Sequence, residues 1–329
     1  MDMEWPSFSG VPEEDALPLK RSQGQALARW IWWNGELREA DAVKLHYYAN
    51  ALHYGTAVFE GIRCYPTVRG RLALFRLKDH VVRLVSSARL YGMKVPYSVD
   101  ELIQGAVEVT RNNGIENGYL RPLAYFGHGP IDLKPKRECP VRVFIAARQL
   151  GTFLGEGALR NGIRVCTSSW RKFHHTVMPT MAKASGHYAN SVLAAHEAVD
   201  RGFDDAILLN QNGTVASATG ENVFFVKDGG LFTNDESSSI VPGITRDSIL
   251  TIARQLGVPV TIRAFTREEL MRADEVFLTG TAAELTPVRE LDGMEFATGR
   301  KTLGAAFQRA YLRAVTGKDD QYQDWLTLV

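Results

Sequence analysis

Short strand patterns that end in Asn-Gly or Asp-Gly turns recur along this 329-residue chain and alternate with helical periodicities. Asn34-Gly35 follows a tryptophan-rich strand, and Asn212-Gly213 and Asp228-Gly229 follow two apolar strands in the second half. Such dipeptides tolerate the positive φ angles that two-residue hairpin turns require. Because hairpins join antiparallel strands, the pattern predicts an α/β protein with mixed sheets rather than a purely parallel doubly wound sheet.

Helices are indicated by apolar spacing and by capping residues. Leu77–Tyr91 carries apolar residues at a helical period, and Arg83 lies beside that apolar stripe, where a solvated arginine is the simplest interpretation. Ser98 and Glu101 form a capping box at the start of the next helix. A further helix is predicted over Asp247–Leu256.

The segment Tyr119–Phe126 is predicted to be a strand, although it contains a proline. Pro122 cannot donate a backbone hydrogen bond, so we expect it near a sheet edge or a strand end. Tyr119 and Arg121 are two residues apart and therefore point to the same face of the strand. That pair could hold a carboxylate.

The length of the chain and its 45% hydrophobic content predict two domains, since one hydrophobic core rarely grows this large. Residues 1–27 are rich in Pro, Ser, Gly and charge, and we expect an extended N-terminal arm there. A small α/β domain is predicted over 28–150 and a larger domain over 151–329. The boundary falls at the glycine-spaced connector 151–157.

Charge and cysteine usage narrow the expected partners and the compartment. Lys+Arg 38 against Asp+Glu 37 gives a net charge of +1, so neither nucleic acid nor an anionic membrane is an expected partner. Cys64, Cys139 and Cys166 are widely spaced and odd in number, which argues against disulfides and a zinc site; we expect no metal. An acidic N-terminus, without a signal-peptide pattern or a membrane-length apolar run, predicts a cytoplasmic protein.

Lys183 is the most unusual charged residue in the sequence. Between Lys172 and Glu197 it is the only residue with a formal charge when histidine is neutral, and its neighbours are small. Loss of water lowers the pKa of a lysine, and the neutral amine is then a nucleophile toward a carbonyl. A solvated surface lysine is the alternative that this local composition leaves open.

Two segments have the features of anion sites. Gly243 precedes a predicted helix start that contains Thr245, and the small residues 279–283 follow the strand Glu275–Leu278. Free amide groups at helix starts and in such turns bind phosphate, although many helix starts bind nothing. The nucleotide motifs G-x-x-x-x-G-K-[ST] and G-x-G-x-x-G after a strand are missing. A phosphate, a reactive amine and no nucleotide motif together fit pyridoxal phosphate.

Six collinear segments resemble the pyridoxal-phosphate enzymes of fold type IV and, more narrowly, the branched-chain amino acid aminotransferases. They are YGTAVFEGIRCY (54–65), YLRPL (119–123), KASGHYAN (183–190), GENVF (220–224), PGITRD (242–247) and GTAAELTP (280–287). The resemblance implies a two-domain enzyme with the cofactor in the cleft between the domains. It also implies a homodimer, or a higher oligomer built from dimers, in which the partner closes each site.

The activity that the resemblance implies is transamination of L-leucine, L-isoleucine and L-valine with 2-oxoglutarate, giving branched-chain 2-oxo acids and L-glutamate. Other fold type IV activities remain as alternatives: D-amino acid transaminase, (R)-amine transaminase and aminodeoxychorismate lyase. A binding protein that has lost catalysis would tend to lose Lys183 or Glu221, and both are present.

Residue roles follow from the same resemblance. Lys183 would be the catalytic amine that joins the cofactor covalently, and Glu221 the anion facing the pyridine nitrogen. The other implied cofactor ligands are Arg83, Tyr188, Ile244, Thr245 and Thr281. The implied substrate pocket consists of Tyr54, Phe59, Gly61, Arg63, Tyr119, Arg121 and Ala282.

The sequence departs from the family pattern at a few positions. His187 stands where relatives often have Asn, and Leu150 and Phe153 stand where relatives often have Trp and Tyr. The loop 127–132 lacks the usual glycine-methionine-glycine run. The last two departures fall in loops that are expected to face the substrate.

Overall fold

The computed structural model describes residues 28–151 and 155–329 and contains two large β-sheets with helices packed on them. The predicted N-terminal arm, 1–27, and Phe153 lie outside the described residues. The strands are β1 (Trp30–Trp33), β2 (Glu36–Glu39), β3 (Ala57–Phe59), β4 (Ile62–Pro66), β5 (Leu72–Phe75), β6 (Gly118–Phe126), β7 (Val141–Gln149), β8 (Ile163–Arg171), β9 (Asp205–Leu209), β10 (Val215–Ala218), β11 (Asn222–Lys227), β12 (Gly230–Thr233), β13 (Val260–Ile262), β14 (Glu275–Gly280), β15 (Glu284–Leu291), β16 (Met294–Glu295) and β17 (Leu326–Leu328). The helices are α1 (Asn50–Tyr54), α2 (Leu77–Leu90), α3 (Val99–Asn112), α4 (Pro135–Glu138), α5 (Glu156–Asn161), α6 (Tyr188–Asp200), α7 (Ile244–Gln255), α8 (Arg267–Met271) and α9 (Leu303–Val315).

The first sheet has the strand order β17-β5-β4-β6-β7-β1-β2, with β3 also paired to β6. Every pairing in this sheet is antiparallel among the described strands. Its last strand, β17, comes from the end of the chain and pairs with β5, so the C-terminus returns to the sheet built by the first half. Apolar residues of α2 and α3 pack on the sheet in one buried core.

The second sheet has the order β10-β9-β8-β15-β14-β11-β12-β13, with β16 beside β15. It is mixed: β8 runs parallel to β9 and to β15, and β12 runs parallel to β13, whereas β14 is antiparallel to both neighbours. The turns at Asn34-Gly35 and Asp228-Gly229 have positive φ angles and join antiparallel neighbours. The expected mixed α/β architecture is therefore confirmed.

The expected position of Pro122 is wrong, because this proline lies in the middle of β6, between β7 on one side and β3 and β4 on the other. The partner chain is interrupted opposite Pro122: β3 ends at Phe59 and β4 begins at Ile62. Glu60 lies in that gap and donates its backbone N–H to the Pro122 carbonyl at 2.8 Å. The Pro122 carbonyl thus accepts a backbone hydrogen bond, although the Pro122 nitrogen cannot donate one. A position inside the sheet is therefore tolerated.

The predicted helices form, with one difference at a helix start. Ser98 and Glu101 make the expected capping box of α3. The helix predicted over Asp247–Leu256 begins earlier, at Ile244, because Gly243 has an extended backbone and occupies the N-cap position. Ile244, Thr245 and Arg246 therefore belong to the first turn of α7, and all three are buried.

Candidate active site

One cleft of the described structure is lined by all seven residues that the sequence implicates in cofactor binding or covalent catalysis. They are Arg83, Lys183, Tyr188, Glu221, Ile244, Thr245 and Thr281. The empty volume of the cleft is about 670 Å³, including the part open to solvent. Helix α2 of the first half and β11, β14 and α7 of the second half supply its walls, so both halves of the described chain contribute to the cleft.

Lys183 is held from both sides through its backbone. Its N–H donates to the Ser87 hydroxyl at 3.1 Å, and its carbonyl accepts from the Phe59 N–H at 3.0 Å. The side chain reaches into the cleft, where Nζ is 2.6 Å from the Tyr188 hydroxyl and 4.9 Å from the centre of the Phe59 ring. The amine is thus directed at a defined point in the cleft rather than at bulk solvent.

The start of α7 has the features of a phosphate site. No side chain caps this helix start, so its amide groups are available to a ligand. A Cβ atom on Gly243 would lie 2.1 Å from Asn222 Oδ1, so glycine is required while Asn222 keeps its bond to the Val241 carbonyl. Thr245 is buried, and the buried Thr279 hydroxyl has no hydrogen-bond partner among the described residues. Unused donors that converge on one place suit a multiply charged oxyanion.

Arg83 is fixed at the same end of the cleft and is only 16% exposed. Its Nε and Nη2 donate to the two carboxylate oxygens of Glu60 at 2.6 and 2.9 Å, and its Nη1 donates to the Pro242 carbonyl at 2.7 Å. His80 Nδ1 lies 2.7 Å from Glu60 Oε2. Although burial opposes the charge, Arg83 and His80 hold the pKa of Glu60 well below its usual range.

Glu221 lies at another wall of the cleft in the opposite electrostatic situation. Its carboxyl group accepts the Gly220 N–H at 2.9 Å, and the nearby Asp205 acts on it as a negative charge. Burial and the neighbouring Asp205 raise the pKa of Glu221 to about 8, against a smaller opposing effect of Lys183. Without a ligand, this carboxyl group therefore holds a proton near neutral pH.

Four residues of the implied substrate pocket form a continuous group beside Lys183. The Phe59 ring lies 4.9 Å from the Tyr188 ring, and the Arg121 guanidinium lies 4.6 Å from the Phe59 ring. Arg121 also donates to the Tyr119 hydroxyl at 3.2 Å. A Cβ atom on Gly61 would lie 1.8 Å from that hydroxyl, so glycine is required for Tyr119 to occupy this position.

The remaining three residues of that set are placed differently. Arg63 is buried and donates to the Gly151 carbonyl at 2.8 Å and to Asn117 at 3.2 Å, with Glu284 3.6 Å away. It therefore anchors the loop at residue 151 and does not line the cleft. Tyr54 ends α1 and is 41% exposed, and Ala282 follows the cleft residue Thr281.

Sequence reasoning missed a second lysine of the cleft. Lys172 lines the same cleft as Lys183, is 9% exposed, and forms no ion pair with any acid in the described ranges 28–151 and 155–329. Burial, together with the charge of Lys183, lowers the pKa of Lys172 to about 8. The sequence did contain a signal for Lys172, because this lysine stands at the start of the long stretch in which Lys183 is the only charged residue.

The described residues contain no cluster of His, Cys, Asp and Glu side chains suited to a metal ion. Within the same residues, no helix combines the length and the apolar character that crossing a membrane requires.

Residues 57–291 match the family model described as amino-transferase class IV. The branched-chain-amino-acid aminotransferase of Escherichia coli (strain K12) is 42% identical over 303 residues, which are 92% of this chain and 98% of that protein. The aminotransferase of the same name from Pseudomonas aeruginosa is 42% identical over 91% of this chain and 97% of its own.

Solved structures agree with the sequence relatives. A branched-chain amino acid aminotransferase from T.th., solved with pyridoxamine 5'-phosphate, has a TM-score of 0.88 and 44% identity, covering 91% of this chain and 98% of its own. The branched-chain aminotransferase of Thermoproteus uzoniensis with norvaline has a TM-score of 0.87 and 42% identity, covering 92% and 99%. The predicted resemblance is confirmed: this chain is an enzyme of the class IV aminotransferase family and belongs to its branched-chain aminotransferases.

Proposed function

We propose that this chain catalyses the pyridoxal-phosphate-dependent transamination of L-leucine, L-isoleucine and L-valine with 2-oxoglutarate. The observation that carries the proposal is the cleft in which Lys183 and Tyr188 lie between a candidate phosphate site and the half-buried carboxyl group of Glu221. The family membership supports the same activity. The products are branched-chain 2-oxo acids and L-glutamate.

The residues of the cleft fit this cofactor. When bound, pyridoxal phosphate supplies an aldehyde that an amine can attack and a ring that accepts electrons. Thr245, Thr281 and the amide groups at Ile244 would hold the phosphate, with Arg83 adding its charge. The Tyr188 hydroxyl, 2.6 Å from the Lys183 amine, would orient the ring.

Lys183 carries out two tasks in this proposal. Its amine is the nucleophile that binds the cofactor, and once substrate has displaced it, the free amine takes the proton from the substrate α-carbon. The backbone contacts to Ser87 and Phe59 keep the amine in place during both tasks. The nearby Tyr188 hydroxyl can accept a hydrogen bond from the protonated amine.

Glu221 would face the ring nitrogen. A carboxyl group that holds a proton near neutral pH can transfer it to a pyridine nitrogen, which leaves a carboxylate beside a cationic ring. The sequence predicted an anion at Glu221, and this prediction applies to the enzyme with cofactor bound. In the ligand-free cleft the proton is on the carboxyl side.

The substrate pocket would be formed by Phe59 and its neighbours. Phe59 offers an apolar surface beside the Lys183 amine, which suits a branched aliphatic side chain. Arg121 and the Tyr119 hydroxyl offer a cation and a hydrogen bond to the second carboxylate of glutamate or 2-oxoglutarate. Tyr54, Gly61 and Ala282 complete the proposed pocket, and Arg63 would support it from outside the cleft through its bond to the Gly151 carbonyl.

The same proposal includes a homodimer, or a larger assembly of dimers. Exposed apolar side chains gather on α1, the segment before it and the 131–133 loop; this apolar face consists of Leu45, Tyr47, Leu52, Ile131 and Leu133, which are 60–78% exposed. The Asn50 side chain donates to the Asp132 carbonyl at 3.0 Å and ties the two segments together. A second copy would cover such a face, and Tyr54 beside it would then lie at the subunit boundary.

Sedimentation measurements test the dimer. Leu133→Lys combined with Leu52→Asp should shift the protein toward monomer, whereas Leu256→Lys on the exposed end of α7 should not. An unchanged sedimentation coefficient in the double variant would contradict the proposed interface.

We also propose a cytoplasmic location, in keeping with three cysteines that are free and buried.

Absorbance spectroscopy tests the reaction itself. The protein loaded with pyridoxal phosphate should show a band from the cofactor bound to Lys183, and addition of L-leucine should convert that band. A panel of donors with 2-oxoglutarate then tests specificity: L-leucine, L-isoleucine and L-valine are expected to react much faster than D-alanine or an (R)-amine. A faster reaction of D-alanine or the amine would assign the chain to another activity of the family.

A further inference from the structure

Glu284 is the first residue of β15 and closes the turn of residues 281–283 that joins β14 to β15. Its φ angle is +55°, in the left-handed region, and its strand partner is Gly280. Glycine adopts this region freely and Asn or Asp occasionally, but a glutamate is strained there. A glutamate at such a position indicates that contacts of its side chain offset the strain.

The Glu284 carboxylate reaches from the second half of the chain to the first. Its Oε1 accepts the Tyr65 hydroxyl at 2.8 Å and lies 3.6 Å from Arg63 Nη2. The side chains of Arg63 and Glu284 are 4% and 12% exposed, and Tyr65 is buried. Because Arg63 and Tyr65 both belong to β4, one shielded carboxylate ties the β14–β15 turn to the first sheet.

Arg63 depends on the same carboxylate, since Glu284 is its ion-pair partner in the part of the chain that the structure describes. The other partners of the guanidinium are uncharged: the Gly151 carbonyl at 2.8 Å and the Asn117 amide oxygen at 3.2 Å. A buried arginine without an ion partner is unfavourable, so loss of Glu284 would also loosen the hold on Gly151. The turn, β4 and the connector at Gly151 are therefore joined at one point.

The β14–β15 turn carries Thr281, which lines the cleft and is proposed to bind the phosphate. Thr286 donates its hydroxyl to the Ala283 carbonyl at 2.7 Å, but this bond lies inside the hairpin and cannot fix the hairpin against the first half. The Tyr65–Glu284 bond can do so, because it spans 219 positions of the sequence. A shift of about 1 Å in such a binding group is enough to slow catalysis by on the order of 10²-fold.

We propose that Glu284 is a positioning residue that holds the β14–β15 turn against β4 and so places Thr281 and Ala282 for cofactor and substrate. This inference rests on the roles that the proposed function gives to those two residues. Glu284 itself does not line the cleft, so it acts through the turn and through its partners on β4. A glycine at this position would remove the strain but also the carboxylate.

The substitution Tyr65→Phe tests the bond without changing the turn. It removes the hydroxyl that donates to Glu284 and keeps the ring. In the protein without cofactor, amide hydrogen exchange of the segment 280–286 should become roughly tenfold faster, since a hydrogen bond to a charged group is lost. Tyr322→Phe is the matched control: it removes another buried tyrosine hydroxyl, which bonds to Gln255, and should leave exchange in 280–286 unchanged.

Glu284→Gly tests the effect on binding and reaction. It relieves the backbone strain but removes both contacts to β4, so the affinity for pyridoxal phosphate and the half-reaction rate with L-leucine should each fall roughly tenfold or more. Glu284→Gln keeps an acceptor for Tyr65, and its losses should be smaller. Asp228→Gly is the matched control, because Asp228 has a φ angle of +49° in a turn where its side chain is 87% exposed. That variant should keep both values.

Unchanged exchange in Tyr65→Phe, or unchanged cofactor affinity in Glu284→Gly, would overturn the inference. A lower melting temperature of Glu284→Gly with full cofactor affinity would likewise limit Glu284 to stabilising the fold. If exchange and affinity change as expected but the unsubstituted protein does not react with L-leucine, the proposed function alone is contradicted.

Discussion

Glu60 is buried behind the cleft residue Arg83, Glu221 is half-buried in the cleft wall, and their neighbours give the two glutamates opposite charge states. Glu60 lies between Arg83 and His80, and its pKa stays well below the usual range although it is fully buried. Glu221 lies against Asp205 and the Gly220 N–H, and its pKa is raised to about 8. Burial opposes ionisation in both places, so the adjacent charges decide which glutamate is an anion.

In the proposed function, this difference suits the two ends of the bound cofactor. The phosphate end needs a permanent cation, and the ionised Glu60 keeps Arg83 charged and fixed. The ring end needs a proton that can be shared with a nitrogen, and Glu221, with its raised pKa, would supply one. A fixed charge and a movable proton are thus built from the same residue type.

Removal of the amine between these two ends should have the largest effect. We expect Lys183→Ala to retain cofactor through the phosphate end but to show no measurable turnover, because nucleophile and base are lost together. Lys227→Ala, which breaks an exposed pair with Asp274, is the control and should remain fully active. Near-normal turnover in Lys183→Ala would refute the assignment of the catalytic amine.

Loss of the Glu60 anion should chiefly affect stability. Glu60→Ala leaves Arg83 without its buried partner, and we expect the free energy of unfolding to fall by about 3–5 kcal/mol. Denaturant unfolding of the protein without cofactor measures this. Glu39→Ala breaks an exposed pair with Arg29 and should change little. Equal effects of the two substitutions would mean that the buried ion group does not stabilise the fold.

Arg83→Ala should weaken cofactor binding roughly tenfold or more, since one charge-assisted contact to a phosphate contributes about 1.5–3 kcal/mol. The effect on the affinity for L-leucine should be much smaller. Titration of the protein with pyridoxal phosphate measures the first quantity, and steady-state kinetics the second. An unchanged titration would leave Arg83 with a purely structural role toward Glu60.

The two glutamates should also affect stability in opposite pH directions. Glu60, whose folded pKa is lowered, stabilises the fold above its unfolded pKa and loses that contribution as the pH falls. Glu221, whose folded pKa is raised from 4.5 to about 8, stabilises the fold at low pH and loses that contribution as the pH rises through this window.

Unfolding curves of the protein without cofactor check the sign for Glu221. Relative to the unsubstituted protein, Glu221→Gln should gain up to about 1.4 kcal/mol per pH unit between pH 4.5 and 8. Comparison with Glu290→Gln, a half-buried partner of Arg164, separates this effect from general acid loss. A constant difference across the window would contradict the raised pKa.

Local signals in the sequence predicted much of the fold. The turns at Asn34-Gly35 and Asp228-Gly229, and the capping box at Ser98, involve neighbours within a few residues, so short segments determine them. Pro122 was misplaced because its tolerance depends on a gap in a strand about sixty residues earlier in the chain. Such an interruption has no local signature.

The residues that line the cleft were implied by motifs, but the residues behind them were not. Glu60 contacts Arg83 across 23 positions, and Asp205 raises the pKa of Glu221 from the far end of the β9–β10 hairpin. Glu60 lies inside the FEGIR segment, which offered a signal, whereas nothing near Asp205 in sequence distinguishes it from a surface acid. Charge states depend on these distant neighbours and therefore require the fold.

The half-reaction of Glu221→Gln with L-leucine, measured beside its melting temperature, tests the central claim most directly. Gln keeps the shape of the side chain but cannot face the ring nitrogen as an anion. We predict that the variant binds cofactor and keeps its fold but reacts on the order of 10²-fold more slowly or worse, because a preorganised electrostatic partner is lost. A destabilised variant with an unchanged half-reaction rate would contradict the account and place the ring nitrogen elsewhere.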